Sequence, residues 1–166
     1  STGGRARVNV GIIFGSKSDQ EVMKKAYDIL MELDIPSQSY ILSAHRVPEA
    51  LKETITRLDQ EGTEVFIAGA GLAAHLPGVI ASMTLKPVIG VPLKGALEGL
   101  DALLSIVQMP KQIPVATVGI NNATNAGMLA AQILAIKYPE VAQRLVEYRK
   151  AMTENFLLEN NGKVEY

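Results

Sequence analysis

Short apolar runs rich in β-branched residues alternate along this chain with longer segments of helical periodicity. Five such runs occur, at residues 8–14, 39–42, 64–68, 88–91 and 115–120. A helical connection between two strands joins them in parallel, and parallel strands are buried on both faces, so their runs are apolar throughout. The alternation therefore predicts an α/β fold in which helices cover both faces of a five-stranded parallel sheet.

Helical segments fill the intervals between these runs and extend the chain beyond the last one. They are expected at residues 19–33, from Pro48 until Gly62 ends the helix, shortly after residue 74, and at 101–107, 122–136 and 140 to about 158. The segment 122–136 has almost no polar face, so we expect it to be buried on more than one side, with a second subunit supplying the extra cover. The stripe Val141, Leu145, Tyr148 and Met152 in the last helix fits docking on its own sheet and on a neighbouring subunit equally well.

The length of 166 residues fits one domain, which at this size buries about 70% of its extended-chain surface. We expect a single domain over residues 1–166, with an ordered core at about 7–158 and flexible ends at 1–6 and 159–166. The sequence contains no cysteine, so it has no disulfide, thiolate nucleophile or cysteine-ligated metal site of its own.

Charge and hydropathy narrow the partners that the chain is expected to bind. A formal net charge of −1 gives no long-range field to attract nucleic acid or an anionic membrane, so neither is an expected partner. No apolar run approaches the ~20 residues that span a bilayer, and the first residues, STGGRARV, lack the apolar segment of a signal peptide. We therefore expect a cytoplasmic protein.

Residues suited to chemistry follow the first three predicted strands. Ligands of open parallel sheets bind beyond the carboxyl ends of the strands, where loops and helix N-termini converge. The segments at those ends are GSKSD at 15–19, SAHR at 43–46 and GAGLAAHLPG at 69–78, and both histidines of the sequence lie in them. A ligand site is therefore predicted at this edge of the sheet.

The segment GSKSD combines a glycine, two hydroxyl side chains and the start of a helix, for which Ser18 or Asp19 is the predicted N-cap. It fits a cradle for phosphate or ribose, and it also fits an ordinary capped turn between a strand and a helix. The spacing and the Gly-Lys-Ser/Thr ending of a P-loop are absent, so the segment does not favour nucleoside triphosphate hydrolysis.

The glycines after the third strand permit a ligand to approach the backbone closely. Residues 69–74 match the spacing of a dinucleotide-binding fingerprint, but no acidic residue follows the next strand, where residues 88–93 read VIGVPL, so NAD binding is weakly supported. His75 in this apolar loop is, taken alone, most simply a hydrogen-bonded structural residue.

His45 lies between Ser43 and Arg46, whose guanidinium group is suited to bidentate phosphate binding. An imidazole ordinarily titrates near neutral pH, which suits a proton carrier. The segment by itself also fits a surface loop. Two histidines without cysteine make a zinc site a poor alternative, and the sequence has no nucleophile elbow of a serine triad.

Taken together, the segments GSKSD, SAHRVP, AGAGLAAHLPG, PVIGVP and SIVQMP resemble the N5-carboxyaminoimidazole ribonucleotide mutases, the PurE family of purine biosynthesis. The likeness runs in register from about residue 8 to about residue 136. Arg46 and residues 73–78 are similar to the mutases; the related carboxylases that use CO2 directly carry a lysine in place of the arginine and lack AAHLPG. One departure is Leu72, where many relatives have glycine, because leucine restricts the backbone if φ is positive.

The resemblance implies a flavodoxin-like three-layer α/β/α sandwich and a homo-octamer with active sites near subunit contacts. It implies conversion of N5-carboxyaminoimidazole ribonucleotide to 4-carboxy-5-aminoimidazole ribonucleotide, with no metal and no cofactor, and His45 as the catalytic acid and base. His75 becomes a pocket residue that positions the carboxylate. The substrate-binding residues that it implies are Ser16, Ser18, Asp19, Ser43, Ala44, Arg46, Gly71, Ala74, His75 and Leu76.

Three other functions stay open from the sequence alone. Direct carboxylation of aminoimidazole ribonucleotide by CO2 is the nearest of them. A signalling receiver of this fold needs clustered acids after the first strand, where this chain has Ser16, Ser18 and the single acid Asp19. A flavin carrier usually stacks aromatic side chains on the ring, and the predicted strand-end loops contain none.

Overall fold

The computed structural model describes residues 7–166, and its strands and helices alternate as the sequence predicts. The predicted flexible segment 1–6 lies outside the described residues. The strands are β1 (Val10–Phe14), β2 (Ser37–Ile41), β3 (Val65–Gly71), β4 (Val88–Leu93) and β5 (Ala116–Thr117). The helices are α1 (Gln20–Glu32), α2 (Pro48–Gln60), α3 (Leu76–Ala81), α4 (Leu100–Val107), α5 (Ala123–Ala135) and α6 (Pro139–Asn160).

The five strands form one parallel sheet in the order β2-β1-β3-β4-β5. The chain leaves β1 toward one edge and then crosses back to β3, so right-handed connections place helices on both faces. Helices α1 and α5 pack on one face, and α2, α3 and α4 pack on the other. The flavodoxin-like three-layer sandwich is therefore confirmed.

Strand β1 lies in the middle of the core, and its side chains alternate between the two layers of helices. Ile12 packs with α1 and α5, Ile13 packs with α2 and α3, and both side chains are fully buried. Burial of one such side chain stabilises the fold by about 1.5–3 kcal/mol. An uninterrupted apolar run is what a strand covered on both faces requires.

Strand β5 is shorter than the predicted run 115–120, and a proline in its neighbour explains the difference. Gly90 and Pro92 of β4 face β5, since their carbonyl groups accept hydrogen bonds from the backbone of Val118 and Asn121. Pro92 has no N–H to return, so the regular ladder between β4 and β5 cannot continue past it.

Helix α5 is buried on several sides by elements of its own chain. It packs against the sheet, α1 and α6. Gly127 permits the approach of α1, because a Cβ atom there would lie 2.9 Å from the carbonyl oxygen of Ala26 and would meet the side chain of Ile29. The extra cover that we expect from a second subunit is therefore supplied by α1 and α6.

The first half of α6 docks on α5 rather than on the sheet. Val141 is buried, and Leu145 and Tyr148 pack on the same core, whereas Met152 and Phe156 are exposed. The helix continues to Asn160, two residues past its predicted end. Among the helices of residues 7–166, none is both long and apolar enough to cross a membrane.

Glu64 joins the start of β3 to the segment between α5 and α6. Its Oε1 accepts hydrogen bonds from Tyr138 Oη at 2.7 Å and Asn9 Nδ2 at 2.9 Å and lies 3.3 Å from Arg7, while its Oε2 accepts one from Lys137 Nζ at 3.0 Å. Burial by itself raises the pKa of Glu64, but the hydrogen bonds outweigh this effect, so the pKa lies below its usual value. The charged carboxylate therefore stabilises the folded chain.

We predict that Glu64→Gln lowers the free energy of unfolding at neutral pH by about 1–3 kcal/mol, the scale of hydrogen bonds to a charged group. Because the folded pKa is lowered, the contribution is present above the unfolded pKa and is lost as pH falls through the folded pKa. The difference between wild type and variant should shrink in acid. Urea denaturation at matched protein concentrations measures it.

The matched control is Glu61→Gln, which removes a more exposed carboxylate paired with Arg57 one helical turn away. A pair of this kind contributes little, so the control should leave stability nearly unchanged at every pH. A stability difference for Glu64→Gln that stays constant from neutral to acid pH would contradict the role of the ionised carboxylate.

Candidate active site

A cleft of about 530 Å³ opens at the carboxyl ends of β1, β2, β3 and β4. Since parallel strands all end at one edge of the sheet, the loops that follow them meet there. The predicted site residues that line this cleft are Ser16, Ser18, Asp19, Ser43, Ala44, His45, Arg46, Gly71, His75 and Leu76. The cleft has the volume of a small-ligand pocket and contains cationic, anionic and imidazole side chains.

Ala74 is the predicted site residue that does not line the cleft. Its side chain is 1% exposed and packs against Ala102 and Ile106 of α4. The expectation that Ala74 contacts substrate through its side chain is therefore wrong. The small side chain instead lets the loop after β3 pack closely on α4.

The loop after β1 holds its polar groups by a local hydrogen bond. Residues Lys17–Asp19 form a single 3-10 turn, which Ser16 caps by accepting a hydrogen bond from the Ser18 backbone N–H at 3.3 Å. Asp19 occupies the N-cap position of α1 but makes no side-chain capping bond. The predicted capping by Ser18 or Asp19 is wrong, because Ser16 performs it, and both residues instead line the cleft.

The carboxylate of Asp19 is poorly solvated in the cleft. Burial raises the pKa of Asp19, and a hydrogen bond from the backbone of Ser16 offsets this only in part. A carboxylate that is partly desolvated gains from additional hydrogen-bond donors. Hydroxyl groups of a ligand are suitable donors at this position.

The loop after β2 is a tight turn organised by Ser43. The Ser43 carbonyl accepts a hydrogen bond from the Val47 N–H at 2.9 Å, and Ser43 Oγ accepts one from the Arg46 N–H at 3.2 Å. Pro48 then starts α2, where its fixed φ suits the first turn. His45 and Arg46 are carried at the tip of this turn and are both exposed.

The loop after β3 is anchored by buried residues at its far end. His75 is the N-cap residue of α3, and Leu76 and Pro77 directly after it are buried. Leu72 has φ of +54°, so the backbone is in the left-handed region that costs a leucine about 1–2 kcal/mol. The departure from glycine at residue 72 therefore falls on a residue with positive φ, and its side chain lies over Gly95.

The two histidines are in direct contact across the cleft. His45 Nε2 and His75 Nδ1 are 2.6 Å apart, a hydrogen-bond distance. Their rings are edge-on, with an interplanar angle of 87° and centroids 4.8 Å apart. The structure thus brings the predicted proton carrier and the second histidine together as a pair.

Sequence reasoning missed Lys94 and Gly95, which line the cleft after β4. The Lys94 side chain pairs with Glu98 at 2.7 Å, and its backbone N–H donates to Asn121 Oδ1 at 2.9 Å. Their signal was the end of the fourth predicted strand, the same position that identified the other three loops. In the part of the chain that the structure describes, no group of three or more His, Cys, Asp or Glu residues is arranged to hold a metal ion.

Comparisons with known proteins agree with the motifs. The family model described as AIR carboxylase matches residues 9–155. The N5-carboxyaminoimidazole ribonucleotide mutase of Thermotoga maritima is 55% identical over 163 residues, 95% of each chain. That of Pyrococcus horikoshii is 60% identical over 144 residues, 86% of this chain and 81% of the relative.

A solved structure adds a likeness of fold. The crystal structure of a PurE2 variant from Treponema denticola has a TM-score of 0.87 to this chain, with 23% identity, and covers 96% of this chain and 100% of that one. The resemblance recognised from the five sequence segments is confirmed by the family model and by the two close relatives. The chain belongs to the AIR carboxylase family.

Proposed function

We propose that this chain is an N5-carboxyaminoimidazole ribonucleotide mutase, which converts N5-carboxyaminoimidazole ribonucleotide to 4-carboxy-5-aminoimidazole ribonucleotide in purine biosynthesis. The observation that carries the proposal is the cleft itself, where His45 and Arg46 lie opposite the loop that contains His75. A proton carrier beside an anion-binding guanidinium matches a phosphorylated substrate that must gain and lose a proton. The relatives from Thermotoga maritima and Pyrococcus horikoshii carry this enzyme name.

The substrate phosphate is held at the β1 and β2 side of the cleft. Ser18, Arg46 and the free N–H groups at the start of α1 bind it, since a helix N-terminus and a guanidinium both favour a dianion. Ser16 and Ser43 complete this set of polar contacts, and Ala44 lies beside them. Asp19 accepts hydrogen bonds from the ribose hydroxyls, which supply the donors that its desolvated carboxylate lacks.

The aminoimidazole ring and its carboxylate lie toward the third loop. Residues 71–76 enclose them, and the glycine at 71 lets the ring approach the backbone. Phosphate and ring are thereby fixed at opposite ends of the cleft. Such fixation holds the reacting atoms in place between the two halves of the reaction.

The reaction proceeds by decarboxylation and recarboxylation with His45 as acid and then as base. The bond between N5 and the carboxylate carbon breaks, CO2 leaves, and protonated His45 gives its proton to N5. The electron-rich ring then attacks the retained CO2 through C4. Neutral His45 finally removes the C4 proton, which restores the aromatic ring and the original state of the enzyme.

The proposed chemistry draws on no metal and no cofactor. The aminoimidazole supplies the electron pair that forms the new carbon–carbon bond, and the enclosed CO2 replaces any external carboxyl donor. We also propose, from the family resemblance, a homo-octamer in the cytoplasm with small-molecule substrate as its partner. Sedimentation of the purified protein tests the assembly.

We predict that the purified protein converts N5-carboxyaminoimidazole ribonucleotide without added bicarbonate, measured by product absorbance. Substrate turnover that needs aminoimidazole ribonucleotide and bicarbonate instead would identify a direct carboxylase. Absence of both activities, in a protein that purifies with a yellow chromophore, would favour the flavin-binding alternative.

We predict that His45→Asn lowers turnover by at least ~10²-fold, the lower scale of help from a general acid and base. Asparagine keeps a polar side chain of similar reach but cannot carry a proton between substrate atoms. Because His45 is not assigned to the phosphate, binding of substrate, measured by calorimetry, should persist. Near-normal turnover would remove His45 from the mechanism.

We predict that Arg46→Ala raises KM by about 10- to 100-fold while kcat changes little, as expected for a charge-assisted contact made equally in ground and transition states. Arg57→Ala is the control, since it removes an arginine of α2 that pairs with Glu61 outside the cleft. A loss of kcat with unchanged KM for Arg46→Ala would exclude a simple anchoring role.

A further inference from the structure

The hydrogen bond between the two histidines joins residues 30 positions apart in the sequence. His45 follows β2 and His75 follows β3, and these strands are not neighbours, because β1 lies between them. The two loops therefore meet over the end of β1. Within residues 7–166 these two rings make no other side-chain hydrogen bond, so each ring's orientation depends on the other.

We propose that His75 is a positioning residue that holds His45 through Nε2 and thereby assigns His45 Nδ1 as the atom that exchanges protons with substrate. This inference rests on the proposed function and deepens it. It replaces the sequence-based expectation that His75 positions the substrate carboxylate. The arrangement follows the logic of a catalytic base that is oriented by a third group.

The geometry fixes which of the two residues is the support. His75 is the N-cap of α3 and is followed by Leu76 and Pro77, both buried in the core. His45 lies instead at the tip of a turn next to Arg46 and Val47, which are exposed. The ring of His75 is therefore anchored to the scaffold, and the ring of His45 is steadied by it.

One proton between Nε2 and Nδ1 is the condition for the bond, since one nitrogen must donate and the other must accept. When His45 is the acid, it carries protons on both nitrogens, donates from Nε2 to His75 Nδ1 and presents the Nδ1 proton to N5. After that proton has moved to N5, the Nδ1 lone pair of His45 is free to accept the C4 proton. The Nε2 proton stays in place, so the same hydrogen bond holds the ring in both halves of the reaction.

The tautomer of His75 follows from the same count. Because its Nδ1 accepts, neutral His75 carries its proton on Nε2. It can then orient His45 without taking up or releasing a proton itself. Its loss should slow proton transfer and leave the phosphate and ribose contacts intact.

Three substitutions at residue 75 separate this role from others. The side-chain amide of asparagine reaches the place of the histidine Nδ1, that of glutamine reaches the place of Nε2, and leucine has no polar atom. We expect His75→Gln and His75→Leu to lower kcat about 10- to 100-fold with KM nearly unchanged, the scale seen when a supporting hydrogen bond is lost. His75→Asn should restore kcat to within about threefold of wild type by accepting from His45.

Other patterns of kinetics would overturn the proposal. A rise in KM with unchanged kcat in all three variants would assign His75 to the substrate carboxylate. An equal loss of kcat in all three, asparagine included, would show that the Nδ1 bond is not the cause. Circular dichroism of each variant establishes that the fold is retained.

A second measurement does not depend on activity. The chain has two histidines, so protein labelled with ¹⁵N-histidine contains only two labelled rings. Solid-state NMR of the free protein should show dipolar transfer between a ring nitrogen of His45 and one of His75, which are 2.6 Å apart. No transfer in wild type would refute the pair. If transfer is present but the wild type lacks mutase activity, the proposed function fails while the pair stands.

Discussion

The parallel pairing of β1 with both β2 and β3 is the constraint on which the site depends. In that register Phe14 lies beside Ile41 on one side and Gly69 on the other, so the three strands end together. A slip of two residues would move one strand end by about 6.6 Å. His45 and His75, which are 2.6 Å apart, would then lose contact. The buried faces of the sheet therefore fix the geometry of the chemistry.

Close packing beneath the cleft carries this precision from the core to the loops. Gly69 lies where β3 ends, and a Cβ atom there would lie 2.9 Å from Cε of Met23 on α1. Met23 is 1% exposed and packs in the core between the sheet, α1 and α5. The start of α1, which presents Ser18 and Asp19 to the cleft, is thus seated on the strand that carries the other half of the site. Short loops on a rigid scaffold hold their side chains with little freedom.

The fold was predictable from the sequence because apolar runs and helical periodicity are local signals. The cleft was predictable too, since the chemistry-bearing residues follow successive strands. What periodicity does not contain is the order of strands, and the contact of His45 with His75 depends on that order. The capping by Ser16 and the burial of Ala74 were missed for a related reason: several neighbouring residues share the same local preference, and tertiary packing selects one.

Lys94 illustrates the same limit from the other side, because its position after β4 follows the rule that identified the first three loops. Only the folded sheet brings the fourth loop against the third, where Gly95 lies under Leu72. Pro92 acts on the opposite edge of β4, where its missing N–H ends the ladder to β5. A single strand thus closes one wall of the cleft and limits the sheet, and neither effect is written in the hydrophobic pattern.

An isomerase that removes and restores one carboxyl group must end each turnover in the protonation state in which it began. A lone imidazole meets that requirement but is free to rotate once its proton has left. The bond from His45 Nε2 to His75 uses a proton that neither half of the reaction consumes, so it is compatible with the acid and the base form alike. Orientation is thereby separated from proton transfer: one nitrogen of His45 keeps the ring in place while the other reacts.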